Sequence, residues 1–223
     1  MKKEKRVKKP LTKARAKLSE MLARQRGGRI LAKRFLIVCE DDKSAPNYFH
    51  ALKKHFNLSA TSIEIVGSGG HTQPVQVVNQ AIKIKVSASD DASGTLPFDE
   101  VWCVIDGDYG PKIFNARVKA IANEVKLAIS TMCFEYWILL HFEENASATI
   151  DCDTLVSYLK KTHLAEYEKG KCDFHEIVPN VHEASKRAEQ VRKPGILRGD
   201  LPEKQNPCSE VYMLINAILH TSP

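Results

Sequence analysis

The segment VWCVIDGDYGP (101–111) runs five strand-forming residues into Asp106 and sets a second carboxylate, Asp108, two positions on. A second apolar run, RFLIVCE (34–40), finishes on Glu40. In an extended chain, residues two apart point to the same side. Asp106 and Asp108 are therefore expected to face one ion, with Gly107 allowing a tight turn between them. Three close carboxylates repel, and at least one is driven towards its protonated form unless a cation joins them. An all-oxygen donor set suits Mg²⁺ or Mn²⁺, and magnesium completes its shell with water and phosphate oxygens. The chemistry this implies is metal-assisted phosphoryl transfer. For a lone D-x-D the plain alternative is a pair of caps or turn formers; Glu40 at the end of another buried strand argues against it.

Glu135 is a single acid among bulky apolar residues in CFEYWILLHF (133–142). It is a candidate for the same site, or a helix-start acid that complements the helix dipole. Asp41 is a further candidate ligand, whereas Asp42, Asp90 and Asp91 read as solvated loop acids. The loop GSGGHT (67–72) resembles a phosphate cradle, with Gly69 and Gly70 supplying amides; His71 reads first as a plain turn residue, and otherwise as a phosphate contact or a general acid. It lacks the lysine of G-x-x-x-x-G-K-[ST], which argues against an ATP site.

These residues need elements to hold them. Apolar runs predict strands over 34–39, 61–67, 99–106 and 124–130. Helical spacing predicts helices over 46–56, 73–89, 111–123 and 133–142, with Ser44 capping the first. Alternation of this kind gives an α/β fold: a mostly parallel four-stranded sheet flanked by helices. Ligands of such sheets bind beyond the carboxyl ends of the strands, where Glu40 and Asp106 stand. Residues 151–161, 173–192 (broken near Pro179) and 208–220 read as helices, and 193–207 as a loop bearing proline and glycine. The expected organisation is an arm over 1–30, an α/β domain over 31–145 and a helical C-terminal extension over 146–223 packed on it.

Charge is unevenly spread. Of the 223 residues, the first 30 carry twelve Lys/Arg and two acids, while the rest carry 21 Lys/Arg and 25 acids. The basicity therefore belongs to the arm, and a basic arm of this kind suits nucleic-acid phosphates. The six cysteines are scattered with no C-x-x-C pair, so a structural zinc site is not expected and a reducing, cytoplasmic setting is. Cys39 and Cys103 lie in apolar strands, where a thiol acts as a small hydrophobe. Trp102 and Trp137 likewise read as core. No apolar stretch is long enough to span a bilayer, and no secretory leader is evident.

Glu after one hydrophobic strand and Asp-x-Asp after a later one resemble the Toprim fold of topoisomerases, primases and OLD-type nucleases. The resemblance is closer to the RloB-like family, bacterial proteins tied to restriction and phage-defence loci, often beside an ATPase gene. It rests on LIVCEDDKSAPNYFHAL (36–52), EIVGSGGHTQPVQVVNQAIK (64–83), FDEVWCVIDGDYGPKIFNAR (98–117), ISTMCFEYWILLHF (129–142) and NPCSEVYMLI (206–215). It implies a Toprim/Rossmann-like domain and a Mg²⁺- or Mn²⁺-dependent nuclease acting on DNA or RNA in anti-phage defence, with an AAA- or ABC-type ATPase partner. On that resemblance Asp106 and Asp108 hold the metal, Glu40 is a further ligand or the general acid/base, and Glu135 completes the shell or orients a water. Lys43, Lys112 and Arg117 become phosphate contacts, or plain surface charges. Asn206, Ser209 and Glu210 fold back on the site, or simply begin the last helix. Asp41 stands where Toprim proteins carry Gly, Gly107 where the family carries a basic residue, and Thr131-Met132 where it carries Asn-Pro.

Two further classes compete. One is a non-catalytic module that binds nucleic acid or an ATPase, which the three intact carboxylates argue against. The other is a receiver-like phosphotransfer domain. It would need a lysine after a later strand, and IST (129–131) has none.

Overall fold

In the computed structural model, which describes residues 33–59, 62–70, 73–90, 96–145, 147–148 and 151–220, the run FLIVC forms β1 (Phe35–Cys39) and all five residues are buried. A strand apolar on both sides is stable only in the middle of a sheet covered on both faces. β1 accordingly pairs in parallel with β2 (Ile63–Val66) on one side and β3 (Glu100–Asp106) on the other. β4 (Lys126–Thr131) continues in parallel beyond β3. β5 (Cys208–Ser209) closes that edge antiparallel, with Ser209 opposite Ser130 and Cys208 opposite Thr131. The order is β2-β1-β3-β4-β5. The sheet is thus five-stranded and mixed, mostly parallel as expected but with one strand more than the four predicted. The missing strand spans two residues, too few for any periodicity, and NPCSE reads equally well as a helix start.

Side chains alternate across each strand. Phe35, Ile37, Trp102 and Val104 face a core shared with α1 (Ser44–His55), α4 (Phe134–Leu139), α5 (Cys152–Thr162), α6 (Val181–Arg198) and α7 (Val211–Leu219). Leu36, Val38, Cys103 and Ile105 face the opposite core, against α2 (Pro74–Asp90) and α3 (Pro111–Ala122). The first core centres on aromatics: Tyr48 meets Phe134, Trp137 and Phe174 edge-on at 5.6, 6.1 and 5.7 Å between ring centroids. Trp137 is fully buried, and truncating it to alanine is expected to cost about 3–5 kcal/mol. Trp102 is buried as well.

Two helix ends differ from expectation. Ser44 is the first residue of α1 rather than its cap; the Asp41 carboxylate accepts from the amides of Ser44 at 2.5 Å and Ala45 at 3.1 Å. α6 runs through Pro194-Gly195 to Arg198, into the predicted loop. Gln205 stitches that turn: its Nε2 donates to Val191 O, and its Oε1 lies 1.9 Å from where a Cβ on Gly195 would be. A side chain at position 195 would have to displace the ends of Gln205 and Arg192.

The chain passes from β1 outward to β2 and then back across to β3, so the direction of winding reverses between β1 and β3. Their carboxyl ends form the crevice in which sheets of this kind place ligands. Lys33–Ser222 form one compact unit. Among the described residues no helix is long and apolar enough to cross a membrane. The arm over 1–30 lies outside the described residues.

Candidate active site

Glu40 leaves β1 with its amide still on the ladder, donating to Val104 O at 3.0 Å. Its carboxylate then reaches over to the next strand. Oε2 accepts from the Asp106 amide at 3.0 Å, and Oε1 accepts from the Tyr109 hydroxyl. Asp106 Oδ1 in turn accepts from the Phe134 amide at 3.0 Å, at the first residue of α4. Two neighbouring strand tips and one helix start are thereby tied through two carboxylates.

The extended chain expected through Asp108 stops at Asp106. Gly107–Tyr109 form a 3-10 turn, in which successive side chains rotate by about a third of a circle. The turn is set by packing. A Cβ on Gly107 would lie 2.5 Å from Thr131 Oγ1, and the Gly107 amide donates to Met132 O at 3.1 Å. Gly107 is therefore needed for close approach to β4. Asp108 is left exposed at the rim. Asp106 continues the face of Trp102 and Val104, while Glu40, just past the end of β1, turns its carboxylate to the Asp106 amide. Among the described residues, Glu40, Asp106 and Asp108 do not form a set with ligand oxygens within 4.8 Å of one another; Cys133, Glu135 and Cys152 do.

The acids nonetheless act on one another. Burial pushes the Glu40 carboxyl up to about 7; the bonds from Tyr109 and the Asp106 amide oppose this, and the charges of Asp108 and Asp41 add to it. Asp106 is held well above the usual carboxylate range, first by burial and then by Glu40, Glu135 and Asp41, with Lys169 opposing. Asp41 and Asp108 are raised mainly by burial, and Glu135 adds its charge at Asp41. Glu135 is only 2% exposed; its Oε1 accepts from Tyr167 Oη at 2.9 Å and lies 3.4 Å from Lys169 Nζ. Cys133, one residue before α4, is joined by a disulfide to Cys152, the first residue of α5. Scattered spacing gave no sign of this bridge. Cys39 and Cys103 are free and buried, as expected.

The remaining predicted contacts divide. Lys43 is exposed and its stem lies over Gly170, where a Cβ would come within 2.8 Å of it. Lys112 is exposed in the first turn of α3. Arg117 is engaged elsewhere: its Nη2 lies 2.6 Å from Glu203 Oε2. Gly69 and Gly70 take left-handed backbone angles, φ 61° and 88°. The Gly69 amide donates to Asp42 Oδ1 at 2.9 Å, so this amide of the cradle already serves a carboxylate. His71 lies outside the described residues. Asn206, Ser209 and Glu210 do return to the sheet, through β5. Glu210 donates its amide to Ile129 O at 2.7 Å and sits among Arg117, Arg192 and Glu203 rather than among the rim acids.

Tyr109, Tyr167 and Lys169 were not singled out from sequence. Tyr109 directly follows Asp108 and could have been read with it. Tyr167 and Lys169 reach Glu135 only through folding.

Nothing matches this chain among curated proteins or among solved structures. Residues 35–218, from β1 through α7, match the family model described as RloB-like protein, and the chain therefore belongs to the RloB-like family.

Proposed function

We propose that this chain is a Toprim-type nuclease that uses Mg²⁺ or Mn²⁺ to hydrolyse phosphodiester bonds of DNA or RNA, as an effector of anti-phage defence acting with an ATPase partner. The observation that carries the reading is the gathering of Glu40, Asp41, Asp106 and Asp108 at the crevice between β1 and β3, with Glu40 bonded to the Asp106 amide. Burial raises all four carboxyls, and neighbouring acids raise Glu40, Asp41 and Asp106 further, a state that a hard divalent cation relieves. The donor set is all oxygen, which fits magnesium. Magnesium keeps several waters and takes one or two carboxylates directly, so the rim acids need not all touch it.

In this reading Asp106 and Asp108 hold the metal. When bound, it stabilises charge on the non-bridging phosphate oxygens and lowers the pKa of an attacking water. Glu40 is the proton carrier at the site, its carboxylate kept in place by the Asp106 amide and Tyr109. Glu135, held by Tyr167, orients water at the α4 side, and Lys169 offsets the negative field. Lys43 and Lys112 are left as phosphate contacts from the chain's own surface, Arg117 being paired with Glu203. The basic arm adds affinity without sequence preference.

The test uses wild type and Asp106→Ala with plasmid, single-stranded DNA and total tRNA. Each is incubated with and without Mg²⁺ or Mn²⁺, alone and with the ATPase encoded beside it. Metal-dependent cleavage by wild type, lost in Asp106→Ala, is the expected result. Binding without cleavage by wild type in every condition would assign the chain instead to the non-catalytic class of nucleic-acid- or ATPase-binding modules.

A further inference from the structure

Cys133, Glu135 and Cys152 bring two sulfurs and a carboxylate oxygen within 4.8 Å of one another beside the acid rim. Their positions are fixed by the fold: Cys133 precedes α4, Glu135 is in its first turn, and Cys152 opens α5, with the two cysteine Cα atoms 5.8 Å apart. As a disulfide the sulfurs are poor ligands. As thiolates they and Glu135 make an S₂O set, the soft kind that selects zinc-like cations over magnesium. A positive charge already occupies the spot. Lys169 Nζ lies 3.4 Å from Cys152 Sγ and 3.4 Å from Glu135 Oε1. Its side chain is half exposed, so the ammonium can withdraw into solvent and leave its place to a metal.

We propose that, when a dithiol opens this bridge, Cys133, Cys152 and Glu135 form a second metal site, taking one thiophilic divalent cation of the Zn²⁺ class. The exchange balances: the dithiol gives two electrons and two protons, becomes a disulfide itself, and leaves Cys133 and Cys152 as thiols. Metal binding then releases the two thiol protons. Three protein ligands leave the fourth tetrahedral position to water. The site does not rest on the nuclease reading, with which it shares Glu135 and the neighbouring Lys169.

Co²⁺ is the probe, because cobalt bound to thiolate gives a charge-transfer absorption that carboxylate sites do not. The protein carries Cys172→Ser, which removes the partly exposed free thiol. Reduced protein is expected to take up one cobalt with this band, displaced by Zn²⁺, and oxidised protein to show no band. Cys152→Ser loses it. Glu135→Gln keeps it with affinity weakened at least about tenfold. Asp106→Ala keeps it in full, which separates this site from the acid rim. In protein unaltered at Cys133 and Cys152, bound Zn²⁺ should also protect both from alkylation, read by mass spectrometry after reduction. A band equal in oxidised and reduced protein, its persistence in Cys152→Ser, or equal alkylation with and without Zn²⁺ overturns the proposal.

Discussion

Glu40 and Glu210 are both glutamates whose carboxyls burial pushes up to about 7, and their neighbours are opposite in charge. Around Glu40 stand Asp108 and Asp41, whose charges raise it further. Around Glu210 stand Arg117 and Arg192, which oppose the rise. Arg192 also donates to Gln205 Oε1 and Asp200 O, each at 2.8 Å, and Arg117 meets Glu203. The cluster behind β5 brings its own cations and serves to hold the sheet edge. The rim at β1 and β3 has Lys169 to one side and otherwise gathers like charge. Burying acids together costs stability, and a fold keeps such an arrangement where something outside the chain completes it.

This contrast can be broken at either end. The largest effect is expected at the rim. Asp106→Asn should lower metal-dependent cleavage by at least about 100-fold, since in the proposed site several kcal/mol of charge stabilisation depend on an ion that Asp106 would hold. The same change should leave the melting temperature unchanged or higher, because a raised carboxyl is replaced by a neutral amide. Activity within tenfold of wild type would remove Asp106 from the site.

The opposite result is expected behind β5. Arg192→Leu leaves Glu210 without its nearer guanidinium and Gln205 without its donor, so unfolding in urea should be easier by about 3–5 kcal/mol. Metal affinity of the folded fraction should not change. A loss of metal binding here would mean that the two clusters are one.

Next comes the dependence on pH. Both glutamates are raised from their ordinary value of 4.5, so the folded state favours their protonated forms. The stability they confer is complete below that value and lost as pH rises through about 7. Mg²⁺ should recover that loss at the rim alone. Its addition should therefore raise the melting temperature more at pH 8 than at pH 5, by roughly 2–4 °C for each kcal/mol of binding. The increment should persist in Glu210→Gln and shrink in Asp106→Asn. An equal shift at both pH values would show that the ion binds elsewhere.

The smallest effect is expected from Tyr109→Phe. Its hydroxyl lowers the Glu40 carboxyl, so its loss should move the acidic limb of the pH–rate profile upward and reduce kcat/KM by less than about tenfold. An unmoved limb would place Glu40 outside the proton transfer.

What could be read from sequence followed from how local each determinant is. β1, β3 and the helices between the strands were legible, because continuous apolar runs and helical spacing report burial directly. That Glu40 and Asp106 stand at the same edge of the sheet followed from the β-α order, but that their strands are neighbours came only with the order β2-β1-β3. The turn after Asp106 was not legible either, since Gly107 packs against Thr131, on another strand. Arg117 looked free for phosphate, but its partner Glu203 lies 86 residues away. The sulfur pair spans 19 residues and falls outside the short spacings that mark metal or redox motifs. α6 runs past Pro194, where the Pro-Gly pair predicted a loop.

The antiparallel pair at Cys208–Ser209 has a consequence for how the molecule is made. Until Ser209 has emerged from the ribosome, β4 presents an open row of backbone donors and acceptors to its surroundings, the arrangement that invites pairing with a stranger chain. Ser130, which Ser209 covers, is itself the cross-strand neighbour of Asp106. The last two-residue strand thus closes the β4 edge at the point where it lies beside the β1–β3 crevice.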